Sequence, residues 1–219
     1  MELNSYIDHT NLKVGCTIKD IDKLCNEAIK YHFNSVYVYP YYVKMVSHYL
    51  ANTNILVGTV VGFPNGCQTK ESKVYEAIDA VSKGADMIDM VINISALKNK
   101  DYDYIKEEIE EIRDAIDGKV LKVIIETNLL TDREIIKMTQ ICNETYVNYI
   151  KTCTGFNGGV KMEQVDIINK YKNNVLEIKA SGGINNKEFM VSLIEEGVSN
   201  IGTSHGVEIM EGKWNYTRI

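Results

Sequence analysis

Asn148-Tyr-Ile-Lys-Thr-Cys-Thr154 and Leu176-Glu-Ile-Lys-Ala-Ser-Gly-Gly183 are two short β-rich runs, each with a lysine after an isoleucine and each leading into glycine. Lys151 and Lys179 stand 28 residues apart, the length of one βα unit, so the two runs read as adjacent parallel strands. A lysine near the end of a buried strand must be solvated, paired or neutralised. Two of them side by side repel, which depresses at least one pKa and makes an amine nucleophilic near neutral pH.

The same alternation extends along the whole chain. Strand-like runs fall at 6–10, 35–40, 54–61, 87–93, 121–127, 148–154, 176–181 and 199–203. Most are nearly continuous apolar runs, as strands covered by helices should be. Helical stripes lie between them. Ile105, Ile109, Ile112 and Ile116 precede Asp117-Gly118; Val74, Ala77, Ile78 and Val81 precede Gly84. Thr131 to Glu134 reads as a capping box and Asn185 to Glu188 as a weaker one; the helix after the latter carries Phe189/Leu193 and Met190/Ile194 pairs and stops at Gly197. Eight βα units without a linker predict a single (β/α)8 TIM barrel domain over 1–219. A doubly wound open sheet is the competing architecture. It usually needs fewer strands, and no Gly-x-Gly-x-x-Gly follows the first one here.

Bulk composition excludes several classes. Apolar residues make up 45% and charged residues 25%, enough for a large core in a soluble protein. A net charge of −6 argues against nucleic-acid binding by bulk basicity, though not against a small anion. Five cysteines without a Cys-x-x-Cys or a Cys/His cluster predict reduced thiols and no structural metal site. No signal-like start and no membrane-length apolar run is visible, so a cytoplasmic location is expected.

In a barrel the site lies at the C-terminal ends of the strands. Those ends offer Asp8, Asp89, Lys122, Glu126, Lys151 and Lys179. Lys122, Glu126 and Asp8 could equally form structural pairs, whereas two lysines together need two partners. Gly182-Gly183 after the seventh strand and Gly202-Thr-Ser204 after the eighth suit phosphate binding by exposed amides, and Gly155 to Gly159 could complete that cradle. A phosphorylated carbonyl compound beside an activated lysine points to Schiff-base chemistry, with Asp89 placed as acid/base or as a counter-ion.

These residues fall into a familiar pattern. The chain resembles the 2-deoxyribose-5-phosphate aldolases, class I aldolases on a (β/α)8 barrel, over nearly its whole length. The marks are Ile7-Asp-His-Thr10, Val61-Gly-Phe-Pro-Asn-Gly66, Ile88-Asp-Met-Val-Ile-Asn-Ile94, Leu121-Lys-Val-Ile-Ile-Glu-Thr127, Ile150-Lys-Thr-Cys-Thr-Gly-Phe156, Lys179-Ala-Ser-Gly-Gly-Ile184 and Ile201-Gly-Thr-Ser204. The resemblance implies that Lys151 forms the Schiff base, Lys179 lowers its pKa and Asp89 is the acid/base acting with a bound water. It implies supporting roles for Asp8 and Lys122, and phosphate binding by Gly182, Gly183, Gly202 and Ser204. The implied reaction is reversible cleavage of 2-deoxy-D-ribose 5-phosphate to D-glyceraldehyde 3-phosphate and acetaldehyde. No cofactor, metal, nucleic acid or membrane is implied; the partners are a sugar phosphate and an aldehyde, and a homodimer is suggested.

The departures are Asn185 where many relatives carry arginine, His205 in the last glycine loop, Met87 before Ile88, and Tyr37 in place of a common cysteine. Loss of the arginine should weaken a phosphate contact. Tyr37 either removes a reactive thiol or only fills volume. Two other functions fit the same residues: an isomerase or decarboxylase using lysine as an electrostatic clamp, and a phosphate-ligand binding protein. The tail Gly212-Lys-Trp-Asn-Tyr-Thr-Arg-Ile219 either extends freely or folds over the site.

Overall fold

A computed structural model describes residues 2–212, so the tail from position 213 onward, and with it the question of its fold, lies outside the described residues. Eight strands, β1 (Ile7–Asn11), β2 (Ser35–Val38), β3 (Leu56–Val61), β4 (Met87–Val91), β5 (Val120–Ile124), β6 (Tyr149–Lys151), β7 (Glu177–Ser181) and β8 (Asn200–Thr203), close into a barrel in sequence order. Every pairing is parallel, including β8 back onto β1. The protein is a (β/α)8 TIM barrel.

The surrounding helices are α1 (Ile18–Tyr31), α2 (Val43–Leu50), α3 (Lys70–Ser82), α4 (Ile94–Lys98), α5 (Tyr102–Ala115), α6 (Asp132–Glu144), α7 (Met162–Tyr171), α8 (Lys187–Glu195) and α9 (Gly206–Glu211). Strand alternation divides the residues between two environments. Val36, Val38, Ile88, Met90, Leu121, Val123, Ile150 and Ile178 join one apolar cluster with the helices. Their neighbours Ser35, Tyr37, Asp89, Lys122, Lys151 and Lys179 are left to the barrel interior, where all six are buried. Among the described residues no helix is long and apolar enough to cross a membrane.

Local signals mostly hold. Ile105, Ile109, Ile112 and Ile116 are fully buried, and α5 stops before Asp117 and Gly118, both at positive φ. Thr131 and Glu134 form the expected capping box, Glu134 accepting from Thr131 N at 2.8 Å. Two expectations shift. The cap of α8 is Asn186, which accepts from Phe189 N at 2.8 Å, one residue later than the Asn185 start. On α3 Val74, Ala77 and Val81 pack inward as expected, but Lys73 and Ala80 join them and Ile78 is 47% exposed. Lys73 takes the inner position because its ammonium reaches Glu108 on α5 at 2.6 Å and the carbonyl of Val91 at 2.8 Å.

Candidate active site

Strand register brings the sequence-identified residues together. Lys151 and Lys179 are direct partners across β6 and β7, and Asp89 pairs with Lys122 across β4 and β5. Their side chains form a line of alternating charge through the barrel. Lys151 Nζ lies 2.7 Å from Asp89 Oδ2, which also receives Lys179 Nζ at 2.8 Å. Lys179 reaches Asp8 Oδ2 at 2.6 Å, and Lys122 reaches that same oxygen at 3.0 Å. Lys122 also donates to Asn200 Oδ1, while Asp8 Oδ1 accepts from Ser35 Oγ at 2.5 Å and Asn34 Nδ2 at 2.9 Å.

The line holds three lysines and two aspartates, so one cation is in excess. Burial alone would push both carboxyls up. The lysines outweigh it and hold Asp8 and Asp89 below the usual carboxylate range. Burial pushes Lys122 down to about 8, with Asp8 pulling the other way. Lys151 is also lowered, first by burial and then by the Lys179 charge, against the pull of Asp89. The expected repulsion between the two lysines is therefore present but secondary, because Asp89 sits between them. Desolvation is the larger cause.

Position distinguishes the members. Lys151 lines a cavity of about 1030 Å³ at the C-terminal mouth of the barrel, together with Gly182, Gly183, Gly202, Ser204 and His205. Lys179, Asp89, Asp8 and Lys122 lie beneath it and are almost completely buried. The excess cation thus has one outlet to the cavity, Lys151.

The glycine loops meet there by close backbone contact. Gly182 and Gly183 have φ of 90° and 73°. A Cβ on Gly182 would come within 2.9 Å of Gly158 O, and one on Gly159 within 2.8 Å of Gly182 O. Val160 N donates to Gly182 O at 3.1 Å, so the loops after β6 and β7 act as one wall. Gly202 is tight for another reason, since a Cβ there would lie 3.2 Å from Lys179 Cε. Asn185 lines this cavity, and so do Lys13 and Lys23 from the β1 side, cations that the sequence reading did not place there.

Glu126 does not join the lysines. It lies two residues beyond β5 in the left-handed region, at φ 53°. It accepts from Thr154 Oγ1 and N and from Asn157 Nδ2, holding the loop after β6. Of the residues expected at strand ends, Lys151 ends β6, whereas Asp89, Lys122 and Lys179 are mid-strand and Asp8 is second in β1; Lys122 pairs with Asp8 Oδ2.

By sequence alone Tyr37 is either a lost thiol or a volume filler. Its hydroxyl donates to Asp89 Oδ1 at 2.7 Å, so it is more than filler. A signal existed: strand alternation puts Tyr37 on the interior face with Ser35, and a buried phenol needs a hydrogen-bond partner. An aromatic wall was also missed. Phe63 packs edge-on to Tyr39 and Phe156, with centroids 6.0 and 5.5 Å apart.

Comparison with known proteins points one way. A family model described as DeoC/LacD family aldolase matches residues 3–210. The deoxyribose-phosphate aldolase of Finegoldia magna is 51% identical, covering 97% of this chain and 100% of that one. That of Enterococcus faecalis is 45% identical, covering 97% of each. Among solved structures, "QR15, an Aldolase" superposes with a TM-score of 0.92 at 38% identity, covering 95% of this chain and 94% of that one. The tetrameric deoxyribose phosphate aldolase of Aeropyrum pernix gives 0.89 at 28% identity, covering 95% and 89%.

Proposed function

This chain belongs to the DeoC/LacD family of aldolases and is a lyase, and from that premise we propose that it reversibly cleaves 2-deoxy-D-ribose 5-phosphate through a Schiff base on Lys151. The products are D-glyceraldehyde 3-phosphate and acetaldehyde. The observation that carries the role of Lys151 is its position: it is the member of the charged line that lines the cavity, and its pKa is lowered.

The neutral Nζ attacks the C1 aldehyde of the open-chain sugar and gives a carbinolamine. In that addition one amine proton passes to the carbonyl oxygen; a second proton, drawn from solvent, goes to the leaving hydroxyl, water departs, and the nitrogen keeps its remaining hydrogen as a protonated iminium. Asp89 Oδ2, 2.7 Å from Nζ, is the group within reach to relay these protons. The C3 hydroxyl then loses its proton, through a water held by Asp89, and the C2–C3 bond breaks. Its electron pair enters the iminium to leave an enamine, and glyceraldehyde 3-phosphate departs. Protonation of the enamine carbon and hydrolysis of the new iminium release acetaldehyde and restore the amine. Lys179 bridges Asp8 and Asp89 beneath the cavity, next to Nζ but out of reach of substrate.

The phosphate is read against the wall of Gly182, Gly183, Gly202 and Ser204, whose amides suit an anion. Lys13 and Lys23 line the same cavity, but so do Asp20, Glu27 and Glu208, and Lys23 pairs with Glu27 at 3.6 Å, so they do not offset the loss expected from Asn185. The test is acetaldehyde release from 2-deoxyribose 5-phosphate, followed through a coupled alcohol dehydrogenase. Steady release from the native chain, lost in Lys151→Ala, is expected. Thermal stabilisation by the sugar phosphate without any aldehyde would favour a binding protein instead.

A further inference from the structure

Tyr37 and Gly58 are direct partners across β2 and β3. A Cβ on Gly58 would lie 2.3–2.6 Å from the Tyr37 ring carbons, so the ring occupies the space of the side chain that Gly58 lacks. That vacancy lets the phenol pass over β3 and reach Asp89 Oδ1 on β4 at 2.7 Å. The face of the same ring covers Lys179, whose Nζ lies 3.4 Å from its centroid. Tyr37 is 1% exposed and does not line the cavity, so it meets substrate through neither group.

We propose that Tyr37 is a positioning residue of this site, setting the proton affinity of Lys151 through Asp89 while its ring face covers Lys179 Nζ. The phenol presents the positive end of its O–H dipole to Asp89 Oδ1, leaving Oδ2 to both lysines. Removing that dipole makes the centre of the line more negative. Asp89 and Lys151 then both bind protons more tightly. The phenol itself stays protonated, since burial first and the Asp89 charge second raise its pKa well above the usual 10. The other charged or titratable groups facing this spot are Asp8 from β1, Lys122 from β5, Tyr149 from β6 and Lys179 from β7. Gly58 and Asn200 contribute no charge. All of these remain in Tyr37→Phe, which keeps the ring and deletes the dipole.

The inference rests on reading Lys151 as the reactive amine, but its titration can be measured without the reaction. Competitive acetylation of the full chain with limiting acetic anhydride, quantified at Lys151 by peptide mass spectrometry across pH, gives the midpoint of the amine. In Tyr37→Phe the midpoint should rise by about one pH unit, the scale of one hydrogen bond to a charged group. Turnover at a pH below both midpoints should fall about tenfold, with KM nearly unchanged. Gly58→Ala, which displaces the ring and keeps the phenol, should move the midpoint the same way, and it decides the matter if Tyr37→Phe does not fold. Coincident titration curves would overturn the proposal, because a ring that only fills volume leaves the midpoint where it was. Failure of borohydride to trap acetaldehyde on native Lys151 would overturn the Schiff-base reading instead, and the same curves would still judge Tyr37.

Discussion

Asp89 makes three contacts that give its two oxygens different tasks: Oδ1 takes the Tyr37 phenol and Oδ2 takes both lysines. Asp89→Asn should therefore lower turnover by about 10²–10⁴-fold, the usual range for loss of a general base, and single-turnover kinetics would measure it. Lys179→Leu acts through charge. Without its neighbouring ammonium, Lys151 keeps its proton to higher pH, so the rising limb of the pH–rate profile moves upward. An unmoved limb would mean that Lys179 has no electrostatic part in the reaction. At this scale the sequence was informative, because lysine in an apolar strand is a visible anomaly. Tyr37 gave less notice: an aromatic residue in a strand is ordinary, and its partner lies 52 positions away.

Elements carry the geometry that residues use. The loops after β6 and β7 meet through Gly158, Gly159 and Gly182, and neither chain segment alone reveals the contact. Gly182→Ala must place a Cβ against Gly158 O at a positive φ, so it should raise KM for the sugar phosphate more than it lowers kcat. Equal KM in the variant would remove this wall from the account. On the outer layer, Lys73 and Glu108 are both fully buried and tie α3 and α5 to the end of β4, two residues past Asp89. Lys73→Met leaves the Glu108 charge unpaired and should cost about 3–5 kcal/mol in urea unfolding, much of it recovered by adding Glu108→Leu. The α3 stripe holds at Val74, Ala77 and Val81 but omits Lys73 for this reason. Apolar periodicity cannot show that a lysine holds the inner face when its carboxylate lies 35 residues on. Glu126 was misplaced similarly, since a left-handed backbone after β5 is not marked by its residue type.

The whole barrel is a container for buried charge, and its stability should depend on pH accordingly. Asp8 and Asp89 have folded pKa values below their unfolded ones. Their contribution is complete above about pH 4 and is lost as pH falls toward the folded values. Urea midpoints measured from pH 6 downward should decline, and decline less steeply in Asp8→Asn, from a lower starting stability. The architecture itself was legible because eight apolar runs alternated with helical stripes, and closure of β8 onto β1 follows from that count. What the chain order could not convey was depth, namely which charged groups lie beneath the cavity floor and which one opens into it. That distinction is the centre of the account, and one measurement addresses it directly: borohydride reduction with acetaldehyde, followed by peptide mapping. A single ethyl group on Lys151, with Lys179 and Lys122 untouched, is the expected result; an unmodified Lys151, or an adduct on Lys179, would contradict it.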